Sequence, residues 1–395
     1  VLALLCGSST LHAQDFKLTS SGYFKNQGVD VMAFDDIYPE GHQGGVCIIM
    51  NGHRVATNGD IRLEATPGQW QPVPKQLDRK LGDNSITATL CYPDSSRHLT
   101  GFNPMIYPDL HLIYTVNVES KGKNIEVTVD LDRPIPQEFI GKVGFNLEFF
   151  PGSLFGKPWI MDGQSGIFPQ QPNSPLMTTQ PNYLHTGNYH DGKKSLADMD
   201  KLIGKGYSPI VADDIISEPY AKGTKFTSRP DDPYNKVTIE SLSGDLQLFD
   251  GRMNHNNGWF VLRSNIKPGV TKGAVKWIIT PNVVADWMYQ PVIQTSQIGY
   301  HPTQDKEAVI EMDIRDNRKE TAQIIRIDAD GEKVVKNVTP ANWGKFLRYN
   351  YLKVNFTDVK EPGLYKIKYN TSVSPIFRID NDVYARGVWL SLIHI

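Results

Sequence analysis

From Ile125 to Leu131 every second side chain is apolar, with Glu126, Thr128 and Asp130 between them. Alternation at period two buries one face only in a β-strand. A helix would scatter these four apolar groups around its axis. The pattern recurs at Val237 and Ile239, at Leu246 and Leu248 beside Asp245 and Gln247, and across residues 274–280 (AVKWIIT). Turn residues punctuate the runs at Lys121-Gly122-Lys123-Asn124, Ser243-Gly244 and Lys267-Pro268-Gly269. The expectation is an all-β protein whose residues 15–291 form a large antiparallel β-sandwich of two stacked sheets.

At 395 residues the chain is too long for one ordinary sandwich and suits two or three domains. Its 33 Gly and 26 Pro fit turn-rich β-structure. A net charge of −2 gives no basic footprint for nucleic acid. No run of about 18 apolar residues exists, so no membrane span is expected. Residues 1–14 (VLALLCGSSTLHAQ) read as a partial signal peptide, an apolar core followed by small and polar residues and a cut after Ala13. The expectation is therefore a protein outside the cytoplasm, secreted, periplasmic or at the cell surface. Cys47 and Cys91 both lie in apolar strand-like runs, and either a disulfide or two core thiols suits them.

Residues 149–234 show little periodicity and many Pro and Gly, the mark of long loops that bind or pack as a lid. One short helix is expected within them at residues 195–203 (SLADMDKLI), with a Ser start and a spaced apolar stripe. Beyond this region, residues 292–382 look like a separate immunoglobulin-like β-sandwich. Ala308, Ile310, Met312 and Ile314 line one strand face, and Tyr365, Ile367 and Tyr369 another. Asp328-Ala329-Asp330-Gly331 supplies a hairpin turn. Tyr365 follows the Pro362-Gly363 turn as the corner tyrosine of such sandwiches does.

This segment opens with QTSQIGYHP (residues 294–302) and closes with FRIDNDVYARGVW (residues 377–389). With the Pro362-Gly363-Leu364-Tyr365 turn between them, the order and spacing resemble the Ig-like domain that precedes the catalytic barrel in family-nine glycoside hydrolases, the endoglucanase-type cellulases. Residues 148–172 (EFFPGSLFGKPWIMDGQSGIFPQQP) and 245–260 (DLQLFDGRMNHNNGWF) look like the N-terminal extension of some bacterial members. The resemblance implies a parent enzyme that hydrolyses β-1,4-glucan, cellulose or a related plant polysaccharide, with inversion. One carboxylic acid protonates the leaving oxygen and a second carboxylate activates water. In the family both groups lie in an (α/α)6 barrel. Here no Asp-Ala-Gly-Asp motif and no long helical pattern occurs, so no catalytic residue is assigned. Residues 383–395 are expected to be the truncated start of that domain with an artefactual tail. The expected partners are the β-glucan and the barrel of the same protein. A stand-alone glycan-binding or structural protein is the alternative.

Sugar rings have apolar faces on which Trp and Tyr stack. The candidate carbohydrate-binding residues are therefore Trp159, Trp259, Tyr183 and Tyr189, all in loop-rich sequence. The competing reading packs these rings inside the fold, as most aromatics are. Trp277 and Trp343 are expected in the cores of their domains. The Asp pairs 35–36, 213–214 and 231–232 project to opposite faces of a strand or sit in turns and make poor acid–base couples. Asp162, His185, His190 and Asp191 match no standard metal spacing. No metal and no cofactor is expected.

Overall fold

The computed structural model describes residues 15–35, 44–64, 66–67, 74–92, 110–172, 176–177, 216–253 and 258–385. The chain divides into two compact units, Val1–Trp287 and Met288–Ile395. Among the described residues the regular structure is strand, relieved by single 3-10 turns at Gln137–Phe139, Pro151–Ser153 and Gly251–Met253.

The large unit holds two nine-stranded sheets with antiparallel ladders. One runs, in spatial order, through Lys17–Leu18, Phe24–Asn26, Val29–Ala33, Val46–Met50, His53–Leu63, Val143–Phe149, Phe260–Asn265, Leu246–Asp250 and Ala221–Gly223. The other runs through Gln164–Ile167, Pro158–Met161, Lys225–Ser228, Val237–Ser241, Val275–Pro281, Asn124–Leu131, Ile113–Lys121, Ser85–Cys91 and Lys75–Leu81. Alternation decides the burial. Ile125, Val127, Val129 and Leu131 are buried, and the residues between them are half-exposed. Each such side chain contributes about 1.5–3 kcal/mol through lost apolar exposure. The two-residue turn Gly122-Lys123 closes this hairpin, and Gly122 supplies the φ of +63° it needs.

The sheets stack face to face. The Phe145 ring meets Trp277 edge-on at 5.0 Å, Phe149 meets Phe226 at 5.8 Å, and Trp277 Nε1 donates to Ser264 Oγ across the sandwich at 3.0 Å. Cys47 and Cys91 lie in different sheets and are not disulfide-bonded.

One expectation for this unit needs amendment. Residues 149–234, read as loops, contain real strands. Pro158–Met161 and Gln164–Ile167 form a hairpin around Asp162-Gly163, and Lys225–Ser228 joins it to the second sheet. Four-residue strands give too few alternations to stand out, but the Asp-Gly pair was a hairpin signal. The helix expected at 195–203 lies outside the described residues.

The second unit is a smaller sandwich. Its four-stranded sheet orders Val292–Gln294, Glu307–Asp313, Tyr349–Asn355 and Ala341–Phe346. The other sheet orders Gly331–Val338, Ala322–Asp328, Gly363–Tyr369 and Ser372–Val373, with Phe377–Ile379 also on Gly363–Tyr369. Ala308, Ile310 and Met312 point inward to meet Ile324, Leu352 and Ile367. Ile314 does not continue that row, because the strand ends at Asp313 and leaves it exposed. Tyr365 OH donates to the Glu361 carbonyl at 2.8 Å, the corner tyrosine bond.

Candidate functional site

Trp159 sits on the Pro158–Met161 strand and is 6% exposed. Its indole lies so close over Gly166, on the paired strand, that a methyl group there would come within 2.4 Å of the ring. Tyr220 stacks beside it at 6.4 Å and donates its hydroxyl to Asp250 at 2.9 Å. Asp250 in turn holds Arg252 through Nε and Nη2, both at 2.8 Å. The Arg252 guanidinium lies 4.5 Å from the Phe260 ring centroid and bonds the carbonyls of Pro169 and Gln170. The two segments singled out in the sequence, 148–172 and 245–260, are thus stitched to each other by Trp159, Tyr220 and Arg252. Trp259 is half-buried with its ring edge-on to Phe150 at 4.4 Å. Tyr183 and Tyr189, with His185, His190, Asp191, Asp213 and Asp214, lie outside the described residues.

Asp162 accepts the amides of Thr224 and Lys225 and the Thr224 hydroxyl. The Thr224 amide leads in holding its carboxyl below the usual range, opposite to what a general acid requires. Asp232 ends a turn by accepting from Arg229, Tyr234 and Asn235. Among the described residues no group of three or more His, Cys, Asp and Glu is placed to hold a metal ion. No helix among them is long and apolar enough to cross a membrane.

A polar cluster that the sequence did not announce lies in the middle of the first sheet. Strand Val143–Phe149 is buried on both faces. Phe145, Leu147 and Phe149 face the sandwich core, so period two turns Asn146 and Glu148 the other way. Register sets Asp60 and Arg263 on either side of Asn146, and Arg62 beside Gly144. Glu64 follows directly and receives Asn146 Nδ2 at 2.6 Å and Arg263 Nη1 at 3.2 Å, while Arg263 Nη2 bonds the Glu64 carbonyl at 2.9 Å. Asn58 Nδ2 donates to Glu148 at 2.6 Å, and Tyr114 OH reaches Asp60 from the opposite sheet at 2.9 Å. Gly144 is required here, since a methyl group would sit 2.8 Å from Arg263 Nε. Burial pushes Asp60 up to about 6 against the pull of Arg62, and Glu64 up to about 7 against Arg263. Three carboxylates facing two guanidiniums form a group able to keep a proton near neutral pH.

The second unit shows an aromatic surface instead. Trp343, expected in the core, is 55% exposed. A bulge in the edge strand opposes both Trp343 and Gly344 to Tyr351, and Gly344 takes a φ of +122°. The extra residue turns the indole onto the outer face of the four-stranded sheet. Trp343 stands perpendicular to Tyr351 at 5.6 Å and to Phe346 at 6.5 Å. With Val309 and Lys353 these rings line a cleft of about 190 Å³. Tyr351 and Tyr289 both donate to Glu311, at 3.1 and 2.9 Å, and Lys353 pairs with Glu307 at 3.1 Å. Leu347, at the tip of the same hairpin, is 79% exposed with a φ of +52°.

Several solved structures resemble part of the chain, three of them as follows. A metagenome-derived glycoside hydrolase family 9 endoglucanase is 29% identical over 23% of this chain and 18% of its own, with a TM-score of 0.21. A thermostable endoglucanase of Alicyclobacillus acidocaldarius is 20% identical over 24% and 15%, with a TM-score of 0.20. A Bacteroides ovatus GH9 protein is 26% identical over 24% and 16%, with a TM-score of 0.20. The chain spans less than a fifth of each of these proteins. No curated protein matches the sequence. Residues 288–374 match the family model of the cellulase N-terminal ig-like domain.

Proposed function

We propose that this chain is the non-catalytic N-terminal portion of a secreted glycoside hydrolase whose full-length form cleaves β-1,4-glucan with inversion. The observation that carries the reading is the match of residues 288–374 to the cellulase N-terminal ig-like domain. Two of the similar solved structures are endoglucanases, one of them of glycoside hydrolase family 9, and this is the substrate class proposed here. In this reading residues 15–291 and 292–382 are two accessory sandwiches, and residues 1–14 direct export. The acid and base of inversion, which need a water between them, belong to a catalytic domain joined to the second sandwich. Trp259 is the proposed place for a glucan to stack, and Tyr183 and Tyr189 are proposed as further stacking residues on their sequence alone; Trp159 is the weaker member because its ring is covered.

Hydrolysis tests this. The chain alone is expected to release no reducing ends from soluble β-glucan. The same chain expressed with the reading frame that continues it is expected to release them, and the first anomer seen by proton NMR should be α. Turnover by the chain alone overturns the reading, and so does a continuing frame that encodes no helical barrel.

A further inference from the structure

We propose that the cleft formed by Trp343, Phe346 and Tyr351 on the second unit is a carbohydrate-binding site for one pyranose ring of a β-linked glucan. It rests on the reading above only for the choice of polysaccharide. The site itself comes from the geometry.

Trp343 stands nearly at right angles to both other rings, at 89° to Tyr351 and 86° to Phe346, which makes a corner rather than a flat patch. A pyranose in its chair form has two apolar C–H faces and a polar rim. Laid in such a corner, it covers one face on a ring wall and keeps its hydroxyls outward. The surroundings supply partners for those hydroxyls. Cross-strand register places Val309 opposite Lys353 and Glu311 opposite Tyr351. Lys353 and Glu307 pair at the rim, and Glu311 is oriented by two tyrosine hydroxyls. Charged side chains already held in place accept or donate hydrogen bonds at low entropic cost.

The size also selects the occupant. Pockets for drug-sized ligands run to roughly 300–1,000 Å³. A cleft of about 190 Å³ suits a single ring. A protein partner normally needs ~800 Å² on each side. Here Lys353 lines the aromatic corner, and its ion pair with Glu307 bounds it with charge. The construction is dedicated as well. Without the bulge Trp343 would be an ordinary ladder residue, and the bulge sets it over Tyr351 outside the hydrogen-bond register.

Affinity electrophoresis of the full chain tests the site, with native gels containing mixed-linkage β-glucan, hydroxyethylcellulose or, as the α-linked control, dextran. The first two are expected to retard the chain and dextran is not. Trp343→Ala should weaken retardation at least about tenfold, the loss expected for one stacked aromatic. Phe346→Ala should weaken it less, and Tyr351→Phe, which keeps the ring, least. Unchanged melting temperatures of the variants show that the fold persists, and Phe346→Ala carries the test should Trp343→Ala not fold. Absence of retardation by β-glucan overturns the site, as does retardation of Trp343→Ala and Phe346→Ala undiminished from that of the parent chain. Loss of retardation in Trp259→Ala alone moves binding to the large unit, which overturns this site and leaves the proposed function standing. Self-association abolished by Trp343→Ala, with no retardation, makes the corner a contact between copies and also overturns it. Failure of the continued chain to hydrolyse glucan sinks the proposed function without altering any gel.

Discussion

Arg263 and Glu64 are each 1% exposed and bonded to one another, although 199 residues separate them in the chain. Two buried charges survive only because each completes the other and Asn146 fills a remaining position. Arg263→Met is therefore expected to destabilise the large unit by about 3–5 kcal/mol, the usual cost of leaving one partner buried and uncompensated. Adding Glu64→Gln to it should recover part of that loss, because the stranded carboxylate goes too. Urea unfolding of the two single variants and the double variant reads this. Strictly additive losses mean the pair does not interact. Nothing in the sequence announces the pair. Asp60, Arg62 and Glu64 alternate with Ile61 and Leu63, which reads as a strand with one wet face. Their burial follows from registers to Val143–Phe149 and Phe260–Asn265, and pairings over such separations leave no local pattern.

The strand openings of the second unit were easier to read, and the structure gives the physical reason. Gly299 has a φ of +106°, and a methyl group there would lie 2.3 Å from the Arg378 carbonyl oxygen. The close approach lets Tyr300 N bond Arg378 O at 2.8 Å and Asp380 N bond Tyr300 O at 3.1 Å. The QIGY opening is thereby fastened to the FRID closing as a parallel bridge between Tyr300 and Ile379. Tyr300 then packs edge-on against Phe356 and Phe377 and bonds Ser296 and Glu307. Gly299→Ala should cost the second unit about 3 kcal/mol or more, since it meets backbone strain and a backbone clash together. Gly363→Ala is the control, because its methyl would meet only the Arg326 guanidinium, at 3.4 Å. Thermal unfolding should separate the two, and equal melting temperatures would remove the Gly299 argument. The same unit held the misreading of Trp343. Regular alternation says which face a residue takes, but a bulge inserts a residue the pattern does not count.

On the scale of the whole molecule, two sandwiches in this order were legible because both rest on period two and turn chemistry. The electrostatic character that separates them was not. In the large unit, burial raises Asp60 to about 6 and Glu64 to about 7, from ordinary values of 3.8 and 4.5. The folded state then binds more protons than the unfolded one between about pH 4 and pH 7. Stability must fall as pH rises through that window and level off above it. In the second unit the sign reverses. Burial alone would raise Asp313, but the Arg315 guanidinium and the amides of Arg315 and Tyr289 outweigh it and hold the carboxyl at about 2. Arg318 likewise lowers Asp316, through Nε and Nη2. These two contribute stability that is complete above about pH 4 and is lost as pH falls toward 2. Scanning calorimetry from pH 3 to pH 8 is therefore expected to show two responses. A transition assigned to the large unit moves down in temperature from pH 4 to pH 7, and one assigned to the second unit moves down only on acidification below pH 4. Single variants assign them. Glu64→Gln should flatten the first response without touching the second, and Asp313→Asn should remove most of the second without touching the first. A large-unit transition that rises between pH 4 and pH 7 would mean that the ion pairs, rather than burial, dominate the cluster around Arg263.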